Sequence, residues 1–176
     1  QGQKRSAASR AYLPRSFWDA HRDRLCDQVE AINYGDIADF TNFMGAVIVP
    51  SSYATNKNAI EAARGAGDAE VICGGRCDDR TGYFISPTII QAHDPRYTTM
   101  EVELFGPVLT VYVYNDADYE RTLELCDSTS PYALTGGIFA TDRAAINVAH
   151  ERLRNAAGNF YINDKPTGAV VGQQPF

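Results

Sequence analysis

At 176 residues the chain has the length of one ordinary domain, enough to bury a core and too short for a second domain of usual size. A hydrophobic share of 44% with 22% charged residues excludes a disordered or fibrous chain, and no apolar run approaches the roughly 20 residues that span a bilayer. The formal net charge of −6 excludes a nucleic-acid footprint, because the short basic stretch at Lys4, Arg5 and Arg10 is too small to neutralise a run of phosphates.

In chain order, Phe17, Trp18, Leu25, Val29 and Ile32 recur at helical intervals, and Pro14 and Ser16 supply start signals, so an amphipathic helix is predicted from Pro14 to Ile32. Ala46 to Val49 is a short β-branched run read as a strand. Ser51 then caps a helix reaching Arg64, which ends at the Gly65-Ala66-Gly67 break. Glu70 to Cys73 reads as another strand, closed by Gly74-Gly75. Tyr83 to Ile90 is extended but interrupted by Pro87, which suits a sheet edge or a bulge better than a central strand.

Val108 to Tyr114 is the clearest strand. Asp116 offers an N-cap for a helix through Cys126, and Gly136 to Ala140 gives a strand. Thr141-Asp142 caps a helix to about Asn155, and Gly158 to Asn163 closes the series with a strand. Strands alternating with helices of ten to fifteen residues imply right-handed crossovers. The fold class is therefore α/β, a three-layer arrangement with a mainly parallel sheet covered by helices, and residues 1–176 read as a single domain.

Cys26, Cys73, Cys77 and Cys126 are too few and scattered for a disulfide framework and suit a reducing compartment. The spacing of Cys73 and Cys77 could clamp a metal, but a structural zinc needs four ligands and no second pair follows, so a buried Cys73 at a strand end and an ordinary Cys77 in the next turn are expected. His21, His93 and His150 fit no dyad or metal spacing and read as surface residues. The chain opens at Gln1 without a charged-then-apolar leader, so any targeting segment is expected to have been removed or to lie outside it.

Alone, Glu103-Leu-Phe-Gly-Pro-Val108 is a turn before a strand. It follows Gly2-Gln-Lys-Arg-Ser-Ala-Ala-Ser-Arg10 and precedes Arg154-Asn-Ala-Ala-Gly-Asn-Phe-Tyr-Ile-Asn163 and Gly172-Gln-Gln-Pro-Phe176. In that order and spacing the motifs resemble the aldehyde dehydrogenase superfamily, and within it the mitochondrial-type pyrroline-5-carboxylate dehydrogenases, which oxidise glutamate semialdehyde to glutamate with NAD. Gly74 to Asp79, Gly82 to Phe84, Phe105 to Tyr114, Asp127 to Thr129, Leu134 to Gly136 and Asn155 to Phe176 extend the resemblance along the whole chain.

The resemblance implies a catalytic-domain segment whose nucleophilic cysteine would stand directly after Gly-Gln-Lys, and there this sequence has Arg5. A guanidinium is protonated at physiological pH and offers no nucleophilic electron pair, while aldehyde oxidation by this route needs a thiolate to attack the carbonyl. Arginine would also project bulk and charge into the space shared by aldehyde and nicotinamide. Ala8 holds the nearest position from which a second cysteine could stand in. By the same resemblance, Glu103 matches the carboxylate on the nicotinamide ribose and Phe105 the ring beside it. Ser6, Gly168 and Ala169 match the substrate-carboxylate anchor, and Phe176 matches an aromatic lining residue.

The family's NAD-binding domain and general-base glutamate would precede Gln1, so no cofactor is expected on these residues, although NAD serves the parent family. With cofactor domain, base and nucleophile all missing, the sequence suggests a catalytically inactive remnant. Such a remnant would be an accessory subunit of a larger mitochondrial assembly (a respiratory complex, ATP synthase or ribosome), held by other protein subunits that cover its exposed apolar faces. The rival expectation is a fragment of an NAD-dependent pyrroline-5-carboxylate dehydrogenase. A third is a regulatory module sensing glutamate or proline-like ligands, without chemistry, through the backbone amides of Gly168 and Ala169.

Overall fold

A computed structural model describes residues 1–132 and 134–166. The sheet at its centre has four strands, in the order β1 (Arg10–Pro14), β6 (Val108–Tyr114), β5 (Thr88–Ala92) and β2 (Ala69–Cys73). β1 and β5 run parallel to β6, and β2 runs antiparallel to β5 with a register shift between Val71 and Cys73. β3 (Cys77–Asp78) and β4 (Phe84–Ile85) form a short antiparallel pair, and β7 (Thr135–Ile138) and β8 (Asn159–Ile162) a separate parallel one. The helices are α1 (Arg15–Glu30), α2 (Pro50–Gly65), α3 (Thr98–Glu101), α4 (Tyr119–Ser128) and α5 (Arg143–Arg152). The architecture is α/β with mainly parallel strand pairs.

Two apolar clusters sandwich the four-stranded sheet. On one face Tyr53, Ile60 and Ala63 of α2 pack with Ile90, Ile85, Ala69 and Val108. On the other, Trp18 of α1 packs with Ile89, Cys73, Val111 and Val113. Ile89 and Ile90, adjacent on β5, point to opposite faces as the period-2 pleat requires, and both are almost wholly excluded from solvent. A third cluster, Leu123, Ala149 and Leu153, joins α4 to α5.

Several expectations are corrected. Ala46 to Val49 is no strand: Val47 is buried and donates its N–H to Tyr83 O at 2.9 Å, but Ile48 is 77% exposed, and Val49 rather than Ser51 is the N-cap of α2. Here β-propensity had no neighbouring strand to pair with. β5 is a fully buried interior strand, not an edge. Pro87 stands one residue before it, and the first ladder donor is Thr88 N–H, bonded to Pro107 O at 2.9 Å, so the missing proline donor costs nothing.

Asp116 does not cap α4. It begins a short 3-10 turn (Asp116–Asp118), and its carboxylate accepts from the backbone N–H of Ser16 at 3.0 Å and from the Ser16 hydroxyl, supplying the first turn of α1 with an anion from a distant part of the chain. Cys77 lies in β3 rather than in a turn. β1 went unread because its five residues are neither β-branched nor alternating; its pairing with β6 defines it. By contrast, Asp142 caps α5 as expected, accepting from Ala144 N–H at 2.8 Å.

Candidate functional site

The loop carrying Arg5 and Ser6 leads into β1, and the turn carrying Glu103 and Phe105 leads into β6. Because β1 and β6 are adjacent and parallel, with Arg10 opposite Thr110, both segments lie at the same end of the sheet. They touch there. Gly2 has φ of 75°, and a Cβ on it would lie 1.9 Å from Gly106 O, so only glycine fits this crossing. Gln3 Nε2 donates to Ser52 Oγ at 3.3 Å, Gln1 Nε2 donates to Ala46 O at 3.2 Å, and Gly45 N–H donates to Gln1 Oε1 at 3.3 Å. The loop is therefore tied to the start of α2 as well as to the turn.

Within the loop, Ala7 N–H donates to Lys4 O at 2.9 Å, a tight turn that exposes Arg5 and buries Ser6. Across the crossing, Glu103 is half-buried. Burial pushes its carboxyl above the ordinary carboxylate range, and the nearby Arg10 guanidinium partly offsets this. Phe105 adopts a φ of 52° and keeps 39% of its surface exposed. A left-handed backbone at an aromatic residue costs of order 1–3 kcal/mol and persists only where the surroundings impose it.

Asn56, in the middle of α2, imposes it. Its Nδ2 donates to Ser52 O at 2.9 Å and to Leu104 O at 3.1 Å, bracing the turn from below, and the residue is completely buried. Gly106 lies flat against this amide: a Cβ there would be 2.1 Å from Asn56 Oδ1 and 2.4 Å from its Cγ. Sequence reasoning missed Asn56. The available signal was a polar residue on the stripe formed by Tyr53, Asn56, Ile60 and Ala63, whose spacing faces the core.

The structure thus joins the segment of Arg5 and Ser6 to the segment of Glu103 and Phe105. Gly168, Ala169 and Phe176, matched to substrate binding by resemblance, lie outside the described residues. Two hollows, of about 470 and 430 Å³, lie elsewhere, one lined by Arg64, Glu70 and Cys73 and the other by Arg15, Gln91 and Arg121.

A reactive cysteine needs a lowered pKa. Cys73 is instead pushed up to about 12, first by burial and then by its hydrogen bond and charge interaction with Cys26. Cys77 and Cys126 are raised by burial, each partly offset by an arginine, Arg64 and Arg10 respectively. No group of three His, Cys, Asp or Glu side chains able to hold a metal occurs among the described residues. His21, His93 and His150 are exposed, and His93 Nε2 lies 3.6 Å from Glu70 Oε1. Among the described residues, no helix is long and apolar enough to cross a membrane.

The class of protein that carries this Gly-Gln-Lys loop and Glu-Leu-Phe-Gly-Pro turn on an α/β layer is shown by comparison: the chain belongs to the aldehyde dehydrogenase family, whose family model matches residues 1–176. Within that family it is 58% identical to the mitochondrial delta-1-pyrroline-5-carboxylate dehydrogenase of Dictyostelium discoideum, covering 100% of this chain and 32% of that protein. It is 50% identical to the enzyme of the same name from Homo sapiens, covering 99% of this chain and 31% of that protein. The crystal structure of delta-pyrroline-5-carboxylate dehydrogenase from Mycobacterium tuberculosis superposes with a TM-score of 0.93 at 49% identity, covering 100% of this chain and 32% of that one. A form of that enzyme bound with NAD gives 0.90. The chain therefore spans about a third of the length of these relatives.

Proposed function

We propose that the chain is the catalytic-domain segment of an NAD-dependent delta-1-pyrroline-5-carboxylate dehydrogenase, mitochondrial like the relatives so named, acting on glutamate semialdehyde. We further propose that the form carrying Arg5 binds its ligands without turning them over. The observation that supports this reading is the Gly2 to Gly106 crossing, which brings the loop of residue 5 against the turn of Glu103 and Phe105.

The residues present fit the nicotinamide-ribose end of a dinucleotide. Glu103 is a partly exposed carboxylate on a braced turn, able to accept hydrogen bonds from ribose hydroxyls, and Phe105 presents an exposed ring beside it. NAD, when bound, supplies the hydride acceptor. This chain's own part is to hold that turn rigid, through Asn56 and Gly106, and to carry residue 5 on the loop that crosses it. At that position a cysteine thiolate would attack the aldehyde carbonyl; Arg5 carries only N–H donors and no nucleophile.

The accessory-subunit expectation drew on the missing cofactor domain, general base and nucleophile, and on the need to cover apolar surface. The surface is there: Ile37 is 78% exposed, Phe40 96%, Phe43 80% and Ile48 77%. The chain spans about a third of its relatives' length, and the rest of such a protein is an equally available cover, so these side chains do not favour a foreign assembly.

The test replaces the matched third of the Dictyostelium enzyme with residues 1–176, once with Arg5 and once with Arg5→Cys, and measures NAD binding and NAD reduction with glutamate semialdehyde. Both chimeras are expected to bind NAD, and only the cysteine form to reduce it. Turnover by the arginine form, or a cysteine form that binds NAD yet stays inert, would refute the proposal.

A further inference from the structure

We propose that Asn56 is a positioning residue for the cofactor half of the site: a buried amide in α2 that holds the Glu103 to Gly106 turn in the conformation that presents Glu103 and Phe105. This rests on the dehydrogenase reading above. It adds a residue far from the motif in sequence, on a helix with no chemistry of its own.

The orientation of the amide is decided by its neighbours. Both groups within reach of Nδ2, Ser52 O and Leu104 O, are carbonyls and can only accept, so the NH2 end must face them. A flipped amide would set oxygen against two oxygens. The price of this arrangement is visible: Asn56 Oδ1 is buried and makes no hydrogen bond. Leaving a buried acceptor unpaired is unfavourable, and a leucine would fill similar volume without that penalty. The asparagine is therefore explained by what its donors hold rather than by the packing of α2.

What they hold is the carbonyl of Leu104, between Glu103 and the left-handed Phe105. Without that donor the half-buried Leu104 carbonyl loses its amide partner unless the turn rotates, and rotation there swings both Glu103 and Phe105. Gly106 completes the device, since its missing side chain lets the backbone rest on the amide plane. Gln3 reaches the same first turn of α2 through Ser52, so the loop of residue 5 and the turn of Glu103 are referenced to one rigid helix. A displacement of the turn relative to the loop is then resisted from both sides.

The test uses Asn56→Leu, with Asn56→Asp as a second variant of nearly equal volume that also loses the paired donors. Hydrogen exchange is followed on the 176-residue chain, and NAD affinity is titrated on the Arg5 chimera, where binding is read without turnover. The expected result is exchange at least about 10-fold faster at Leu104 to Gly106 with the β6 amides unchanged, and an NAD dissociation constant raised by about 10-fold. Unchanged exchange and affinity would overturn the inference. So would faster exchange with unchanged affinity, because the turn would then be loosened without consequence for the cofactor. If Leu at position 56 prevents folding, the Asp variant is read by the same criteria. Failure of the unsubstituted chimera to bind NAD would count against the dehydrogenase reading instead, leaving the exchange comparison to decide whether Asn56 holds the turn.

Discussion

Adding one methyl group at Gly106 tests the geometry of the site most sharply. In Gly106→Ala the new Cβ would lie 2.1 Å from Oδ1, 2.4 Å from Cγ and 2.5 Å from Nδ2 of Asn56, about an ångström inside ordinary contact. The amide cannot swing aside freely, because Nδ2 is held at 2.9 and 3.1 Å by two carbonyls and the residue has no exposed surface. Relief requires strain in the turn or rupture of these bonds, which leaves the half-buried Leu104 carbonyl without its amide donor; overpacking alone costs about 1–3 kcal/mol, and the lost hydrogen bond adds to it. A loss of about 3 kcal/mol is expected for the single variant, measured as a fall in the urea midpoint at unchanged slope. Asn56→Ala removes the obstacle, so the double variant should lose at least about 1 kcal/mol less than the sum of the two singles. Additivity within about 0.5 kcal/mol would show that Gly106 does not rest on the Asn56 amide, and the reasoning for both residues would fail.

Ile90→Ala, at a fully buried position among Val47, Tyr53, Ile60 and Val108, is expected to cost about 3–4 kcal/mol, whereas Ile48→Ala, at a 77% exposed position, should stay within about 0.5 kcal/mol. Equal losses in urea unfolding would contradict the assignment of β5 as an interior strand. Cys73 has a pKa in the fold of about 12, above the ordinary thiol value of 9.0. Its contribution is therefore complete below pH 9 and is lost as pH rises towards 12. Stability should decline over that window more steeply in the parent chain than in Cys73→Ala, and alkylation at pH 8 should spare Cys73 until the chain is unfolded; a Cys73 that labels as fast as an unfolded cysteine would refute this.

Much of the frame was legible because it follows from local chemistry. Pro14 stands at the N-cap of α1, Asp142 supplies a cap that acts within its own helix, and Val108 to Tyr114 is a long β-branched and aromatic run of strong strand propensity. The motif residues were legible too: Arg5, Glu103 and Phe105 stand in segments whose order and spacing carry the family resemblance. Where the reading failed, the deciding partner was distant. Asp116 is a plausible cap for the helix that follows it, yet it serves α1, 100 residues away in sequence.

The same distinction divides the site. Chemistry is local, so the sequence alone determined that residue 5 bears a guanidinium and that a carboxylate and a ring stand at positions 103 and 105. Position is not local. Only the tertiary structure decided that β1, unread from its own composition, lies beside β6 and so carries the loop of Arg5 to the turn of Glu103, because strand adjacency is set by burial on both faces of the sheet. Asn56 belongs to the same category: its polarity looks like a flaw in an apolar stripe until the Leu104 carbonyl, 48 residues away, is brought within hydrogen-bonding distance of it.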